Sequence, residues 1–220
     1  MVWAFEKVSV KIRYLFIPNQ NMDHNILTSI AMGIALSACA GFRVFIPMLA
    51  GALASHFNII HLSNEMAWLS SWPAIIAFGV AAVTEVAAYY IPFVDNLLDT
   101  MATPLSVGAG TVLAASLLPL GQNDLLRWVV ALLAGGSAAG TIQLGTGLLR
   151  LFSSKATIGT GNVVVSTSEN VAAVSGSVLS FIIPVIVALV LVALIIWIIM
   201  KVANRFTGGH KQPDKRYMRF

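Results

Sequence analysis

Arg43 and Glu85 are a guanidinium and a carboxylate set in apolar surroundings, within "GFRVFIPML" (41–49) and "EVAAYYIPFVDNLLD" (85–99). An ionisable side chain deep in an apolar segment costs about 3 kcal/mol on insertion scales unless it pairs or meets water. The two segments are neighbours in the chain, so their helices are expected to touch, with both charges facing inward and pairing. Arginine presents five donors and stays charged. It can therefore hold Glu85 and also the carbonyls freed where Pro47 interrupts its helix. Two roles fit: a clasp that pins a broken helix, or a polar mid-membrane site that receives a solute or ion, as in many transporters. Tyr89 lies one helical turn beyond Glu85, within hydrogen-bonding reach. Tyr89 and Tyr90 also suit an interfacial aromatic anchor.

Three further acids complete the candidates. Asp95 can cap a helical turn, and Asp99 lies four residues on, across the same face. Carboxylates at that spacing can hold a cation, or be a cap and a solvated charge. "KATIGTGNVVVSTSEN" is the most polar internal stretch. Gly159 and Gly161 permit tight turns there, Asn162 can cap a helix from Val163, and Ser166 and Glu169 fall on one face of it. The glycine spacing does not match a phosphate-cradling loop. His24, His56, His61 and His210 are scattered near segment ends, with no metal-ligand or catalytic ordering. No catalytic residue, metal or cofactor is implied.

These groups must be positioned by membrane helices. Apolar residues make up 58% of the chain and charged ones only 10%, against about a quarter in soluble domains. The fold class is all-α: a polytopic bundle of five to six spans with broken or half-length helices and an N-terminal interfacial helix. Residues 1–24 form the amphipathic segment, 25–203 the single bundle and 204–220 a basic cytoplasmic tail. The net charge of +4 does not indicate nucleic acid. Nine of the thirteen basic residues, among them Lys7, Lys11, Arg13, Lys201 and Arg219, flank the bundle as positive-inside anchors. Cys39 is the one cysteine, so no internal disulfide exists.

Spans are expected over 72–93, 104–121 and 126–151, with a loop over 58–71 and "VDNLLDTMATP" as a short link. Residues 25–57 as one helix would run about 50 Å and residues 163–203 about 60 Å, against a hydrocarbon core of about 30 Å. Breaks are therefore expected at Gly41 and Pro47, at Gly159 and Gly161, and as a kink at Pro184. Basic termini on one side require an even number of crossings, so either a re-entrant pair of half-helices or a hidden sixth span is expected. Gly33, Ser37 and Gly41, and also Gly136 and Gly140, repeat at four-residue intervals. Such faces pack helices closely, within the bundle or in a homo-oligomer.

At "GFRVFIPML", "EVAAYYIPFVDNLLD", "PLSVGAG" and "TGNVVVSTSEN" the chain resembles an uncharacterised bacterial membrane family, domain of unknown function number four thousand one hundred twenty-six. The resemblance carries over Arg43, Pro47, Glu85, Pro92, Asp95, Asp99, Asn162, Ser166 and Glu169. The chain departs from the family pattern at Tyr89–Tyr90, where the family has an Asp-Lys pair. Gln143 and Thr146 stand at basic positions, Val163 at a proline and Asn170 at an aspartate. The resemblance implies a multi-pass bacterial inner-membrane protein with the bilayer as partner and no assigned activity. Three readings follow: binding or passage of a small solute or ion, a structural partner in a membrane complex, and a lipid-modifying enzyme with Asp95, Asp99 and Glu169 near the headgroups.

Overall fold

The computed structural model describes residues 22–119, 123–157 and 161–207. The interfacial helix expected over 1–24 and the tail over 204–220 lie outside these apart from their inner ends, as do Gly159 and His210. The described residues are helical, and no strand occurs among them. The order is α1 (Met22–Cys39), α2 (Phe45–His56), a 3-10 helix (Asn64–Ser70), α3 (Trp72–Ala88) and α4 (Pro92–Leu117). Then follow α5 (Asp124–Ala131), a π-helical turn (Leu132–Gly136), α6 (Ser137–Thr157), α7 (Gly161–Ile182) and α8 (Pro184–Thr207).

Local chemistry starts these helices. Ser71 accepts from the Ala74 N–H at 3.4 Å and Pro73 occupies the first turn of α3. Asn123 caps α5 by accepting from the Leu126 N–H at 3.1 Å. Pro92 and Pro184 each open a helix, where a missing N–H costs no helical bond. The expected kink is found at Pro184: α7 ends at Ile182 and α8 starts two residues later.

Burial is inside-out relative to a water-soluble helix. On α7 the inward face is Ser166, Glu169, Ala173, Ser177 and Ser180, while Val164 is 71% and Val171 61% exposed. Leu189, Val190 and Ile199 of α8 and Ile76, Val80 and Val83 of α3 are exposed as well. Polar residues turned inward and apolar ones turned out are what a lipid solvent selects. Thr100–Leu117, Asp124–Ser153 and Pro184–Asn204 are long and apolar enough to cross a membrane. A fourth is added if the 3-10 helix and α3, bent by 61° at their junction, count as one. The apolar stretches Ile26–Cys39 and Phe45–His56 are shorter.

α1 and α2 form a hairpin. Gly33 of α1 backs onto Leu117, the last residue of α4, since a Cβ there would lie 3.4 Å from the Leu117 Cβ. Ser37 Oγ donates to the Gly110 carbonyl at 2.7 Å, two turns back along α4. Beyond the tip α2 returns: Gly51 faces Leu113, and the Ser63 N–H reaches the Ser116 carbonyl at 2.9 Å. The outer ends of both half-helices thus lie at the same end of α4. α5–α6 runs antiparallel to α4, with Gly135 against Gly110 and Ala114, and Gln143 beside Ser106. A Cβ on Gly135 would sit 2.5 Å from the Ala114 Cβ, so the π turn brings two backbones together where no side chain fits. The small-residue stripes pack inside the bundle: Gly33, Ser37 and Gly41 on α4 and α6, Gly136 and Gly140 on Val107 of α4.

Three local expectations are corrected. The break in the first segment falls at Ala40–Val44, ahead of Pro47, which is the third residue of α2. A proline there removes no helical hydrogen bond, so it begins the second half instead of breaking the first. The stretch "VDNLLDTMATP" is not a link but the first turns of α4, which continues through Pro104. The span expected over 72–93 ends at Ala88, where Tyr89 and Tyr90 turn the chain.

Candidate functional site

The site begins at the hairpin tip. α1 closes with tightened turns: Gly41 N–H to the Ala38 carbonyl and Phe42 N–H to the Cys39 carbonyl, both 3.0 Å. Gly41 is required there, because a Cβ would lie 2.5 Å from the Ile142 Cβ of α6. At the start of α2, Val44 has no side chain able to cap, and the cap comes from another helix. Glu85 of α3 accepts from the Val44 N–H at 2.8 Å through Oε1 and from the Phe45 N–H at 3.0 Å through Oε2. A carboxylate on the N-terminal amides of a helix is favoured by both hydrogen bonding and the helix dipole.

Arg43 does not pair with Glu85 as expected from the sequence, nor does it cap the break. It reaches across to α7. Its Nε donates to Asn170 Oδ1 at 2.5 Å, and its Nη2 to the Ser166 carbonyl at 3.2 Å. Its Nη1 lies 3.2 Å from Glu169 Oε2, without alignment for a hydrogen bond. Arg43 is 1% exposed and Glu169 3%.

Glu169 is shared with a second guanidinium. Arg150, in the penultimate turns of α6, donates from Nε to Glu169 Oε1 at 3.2 Å and from Nη2 to Glu169 Oε2. The two-pronged geometry is the strong form of this pair. Both guanidiniums also lie over the Tyr89 ring, with Arg43 Cζ 3.8 Å and Arg150 Cζ 4.1 Å from its centroid. A ring contacted by two cations offsets part of their mutual repulsion through its quadrupole. Two guanidiniums and two carboxylates balance formally, and Arg43, Glu85, Arg150 and Glu169 are all buried.

Two polar features adjoin the cluster. Tyr90, 43% exposed, accepts from Asn170 Nδ2 at 3.3 Å and lies 3.1 Å from Thr167 Oγ1. In the other direction the inward face of α7 continues through Ser177 to Ser180. Ser166 Oγ is buried with no hydrogen-bond partner among the described residues. Cys39 of α1 packs on Gly176 of this face, where a Cβ would lie 2.7 Å from its Sγ.

Of the residues singled out from sequence, Arg43, Glu85 and Glu169 come together with Gly41 and Pro47 at the tip. Gly161 and Asn162 form the first turn of α7, one to two turns before Ser166. Asp95 and Asp99 sit in the first turns of α4, and no side chain is described there. Among the described residues no group of three or more His, Cys, Asp or Glu side chains could hold a metal ion. Arg150 and the stacking role of Tyr89 were missed. Arg150 falls at the end of an apolar segment, where a cation reads as an ordinary anchor, so only its pairing distinguishes it.

The comparisons with known proteins agree with this picture at the level of family. No curated protein and no solved structure matches the chain. A family model described as Domain of unknown function (DUF4126) matches residues 30–204, most of the chain and every residue of the cluster. The chain belongs to that family.

Proposed function

We propose that this chain is a multi-pass protein of the bacterial cytoplasmic membrane that binds or translocates a small solute or ion at the cluster beneath the hairpin tip. One observation carries the reading: two guanidiniums and two carboxylates meet at a broken helix inside an apolar bundle, next to the buried Ser166 hydroxyl, which has no partner among the described residues. Broken-helix ends beside ionisable groups are how membrane carriers build sites. The inward face of α7 adds further polar side chains, Ser177 and Ser180, beyond that point.

In this reading α3, α4, α5–α6, α7 and α8 are five crossings, and α1–α2 is a re-entrant pair entering and leaving on one side. That count is odd, so Met22 and Thr207 face opposite sides. Six of the nine flanking basic residues lie in the last turns of α8 or after it, which makes the C-terminal side cytoplasmic. The small-residue stripes are engaged within the chain, so a homo-oligomer would use the exposed apolar faces instead.

The test is solute and ion flux into vesicles holding the purified protein, alongside uptake and lipid profiles of a deletion strain. Arg43→Ala or Glu85→Gln is expected to abolish flux while folded protein still accumulates. Loss of the folded protein in both variants would favour a purely structural clasp. That alternative is supported by the two-pronged Arg150–Glu169 pair, and it predicts a co-purifying membrane partner. The lipid-modifying reading is weaker, because Glu169 is engaged by two guanidiniums rather than open to a headgroup.

A further inference from the structure

A second feature lies on the outer wall. α6 and α8 splay apart below Gly145, where a Cβ would lie 2.7 Å from Ile198 Cδ1. The resulting cleft has a volume of about 440 Å³. That falls within the range of roughly 300–1,000 Å³ typical of small-ligand sites. Its walls include Phe152 of α6 and Trp197 and Ile198 of α8, and Phe42 lies at its inner side. Its one uncapped charge is Lys201, whose Nζ lies 4.5 Å from the Trp197 ring centroid. Thr146, also in the lining, turns its hydroxyl to the Gln143 carbonyl at 3.0 Å and so offers little to a polar ligand.

We infer that this cleft holds one acyl chain of an anionic glycerophospholipid from the surrounding bilayer, with the lipid phosphate on Lys201. The lining is apolar along its length and carries a cation near the C-terminal end of α8. That is the complement of an amphiphile with one negative head. Trp197 suits the interfacial level at which headgroups sit. The ring also holds the lysine stem in place and leaves its N–H donors for phosphate. The basic residues that follow in the sequence, Lys211, Lys215, Arg216 and Arg219, add to the attraction of this membrane face for anionic lipid. The chain in the cleft reaches Phe42, the residue before Arg43, so the lipid touches the hairpin tip from the outside.

The test reads Trp197 alone, in protein whose Trp3, Trp68, Trp72 and Trp128 are replaced by Phe. The protein is placed in phosphatidylcholine vesicles containing equal fractions of chain-brominated phosphatidylglycerol or chain-brominated phosphatidylcholine, and quenching is compared. The anionic lipid is expected to quench about fivefold more effectively per molecule, the effect of one favourable lysine near a lipid surface. Lys201→Gln should lower that preference about fivefold relative to the parent and Lys201→Arg should keep it. Lys155→Gln, a neutralisation in the last turn of α6, should leave it unchanged. Equal quenching by the two lipids in the parent, or a preference left unchanged by Lys201→Gln, would overturn the assignment. So would a preference lost equally in Lys155→Gln, which would mean diffuse surface attraction. Both Lys201 and Lys155 are exposed, so these variants fold.

Discussion

Among the described residues there are two arginine–carboxylate groups, and they could hardly be more different. At the start of α5, Arg127 meets Glu65 at 2.5 Å and Asp124 at 3.8 Å, with the two carboxylates 52% and 76% exposed. At the hairpin tip, Arg43 and Arg150 share Glu169, and all three side chains are at most 3% exposed. The first group ties a connecting segment to a helix start in water or at the headgroups, where such pairs contribute little. The second lies in an interior where each charge is costly alone and is tolerated only through its partners. Similar residue types thus serve as a surface tether in one place and as the organising centre of the bundle in the other.

The sharpest way to break this contrast is to remove the shared carboxylate. Glu169→Ala leaves two buried guanidiniums beside Tyr89 without their shared carboxylate, and a loss of about 3–5 kcal/mol is expected. The readout is the thermal midpoint of the detergent-solubilised protein, and Arg150→Gln should be nearly as damaging. Gly41→Ala comes next, at about 1–3 kcal/mol, since its methyl group would collide with Ile142. A Gly41→Ala protein as stable as the parent would mean that the tip does not pack as described.

Smaller effects sharpen the picture. Glu85→Gln retains shape but loses the charge facing two amides, and should cost about 0.5–2 kcal/mol, the scale of a lost helix cap. Tyr89→Leu should cost up to about 2 kcal/mol through lost cation–π contact. At the rim, Glu65→Gln should shift the thermal midpoint least of all. Its carboxyl is held below its ordinary pKa by its own backbone N–H and by Arg127. A depressed folded-state pKa stabilises above the ordinary value and loses that contribution as pH falls through the lowered one. The difference between Glu65→Gln and its parent should therefore shrink in acid, which a pH series of melting curves checks.

Much of this architecture was legible because lipid leaves a plain mark on composition. Apolar runs of spanning length, prolines at helix starts and the excess length of two segments were enough to expect a helical bundle with breaks. The charges at Arg43 and Glu85 stood out for the same energetic reason, and Glu169 through the polar stretch that holds it. Pairing was not legible. Arg43 and Glu85 are close along the chain, but a side chain leaving the hairpin tip meets whichever helix packs there, and that helix is α7. The role of Pro47 was misread because proline both ends and begins helices, and only the position of the first hydrogen-bonded turn separates the two cases. Arg150 stayed hidden because a cation at the end of an apolar stretch is usually an anchor, and its partner lies on another helix.

The measurement that bears most directly on the account is a pair of double-mutant cycles on thermal stability, Arg43→Gln with Glu169→Gln and Arg43→Gln with Glu85→Gln. The account predicts a coupling of about 1–3 kcal/mol for the first pair, and for the second a value markedly smaller. A negligible coupling between Arg43 and Glu169, or a larger one between Arg43 and Glu85, would contradict it.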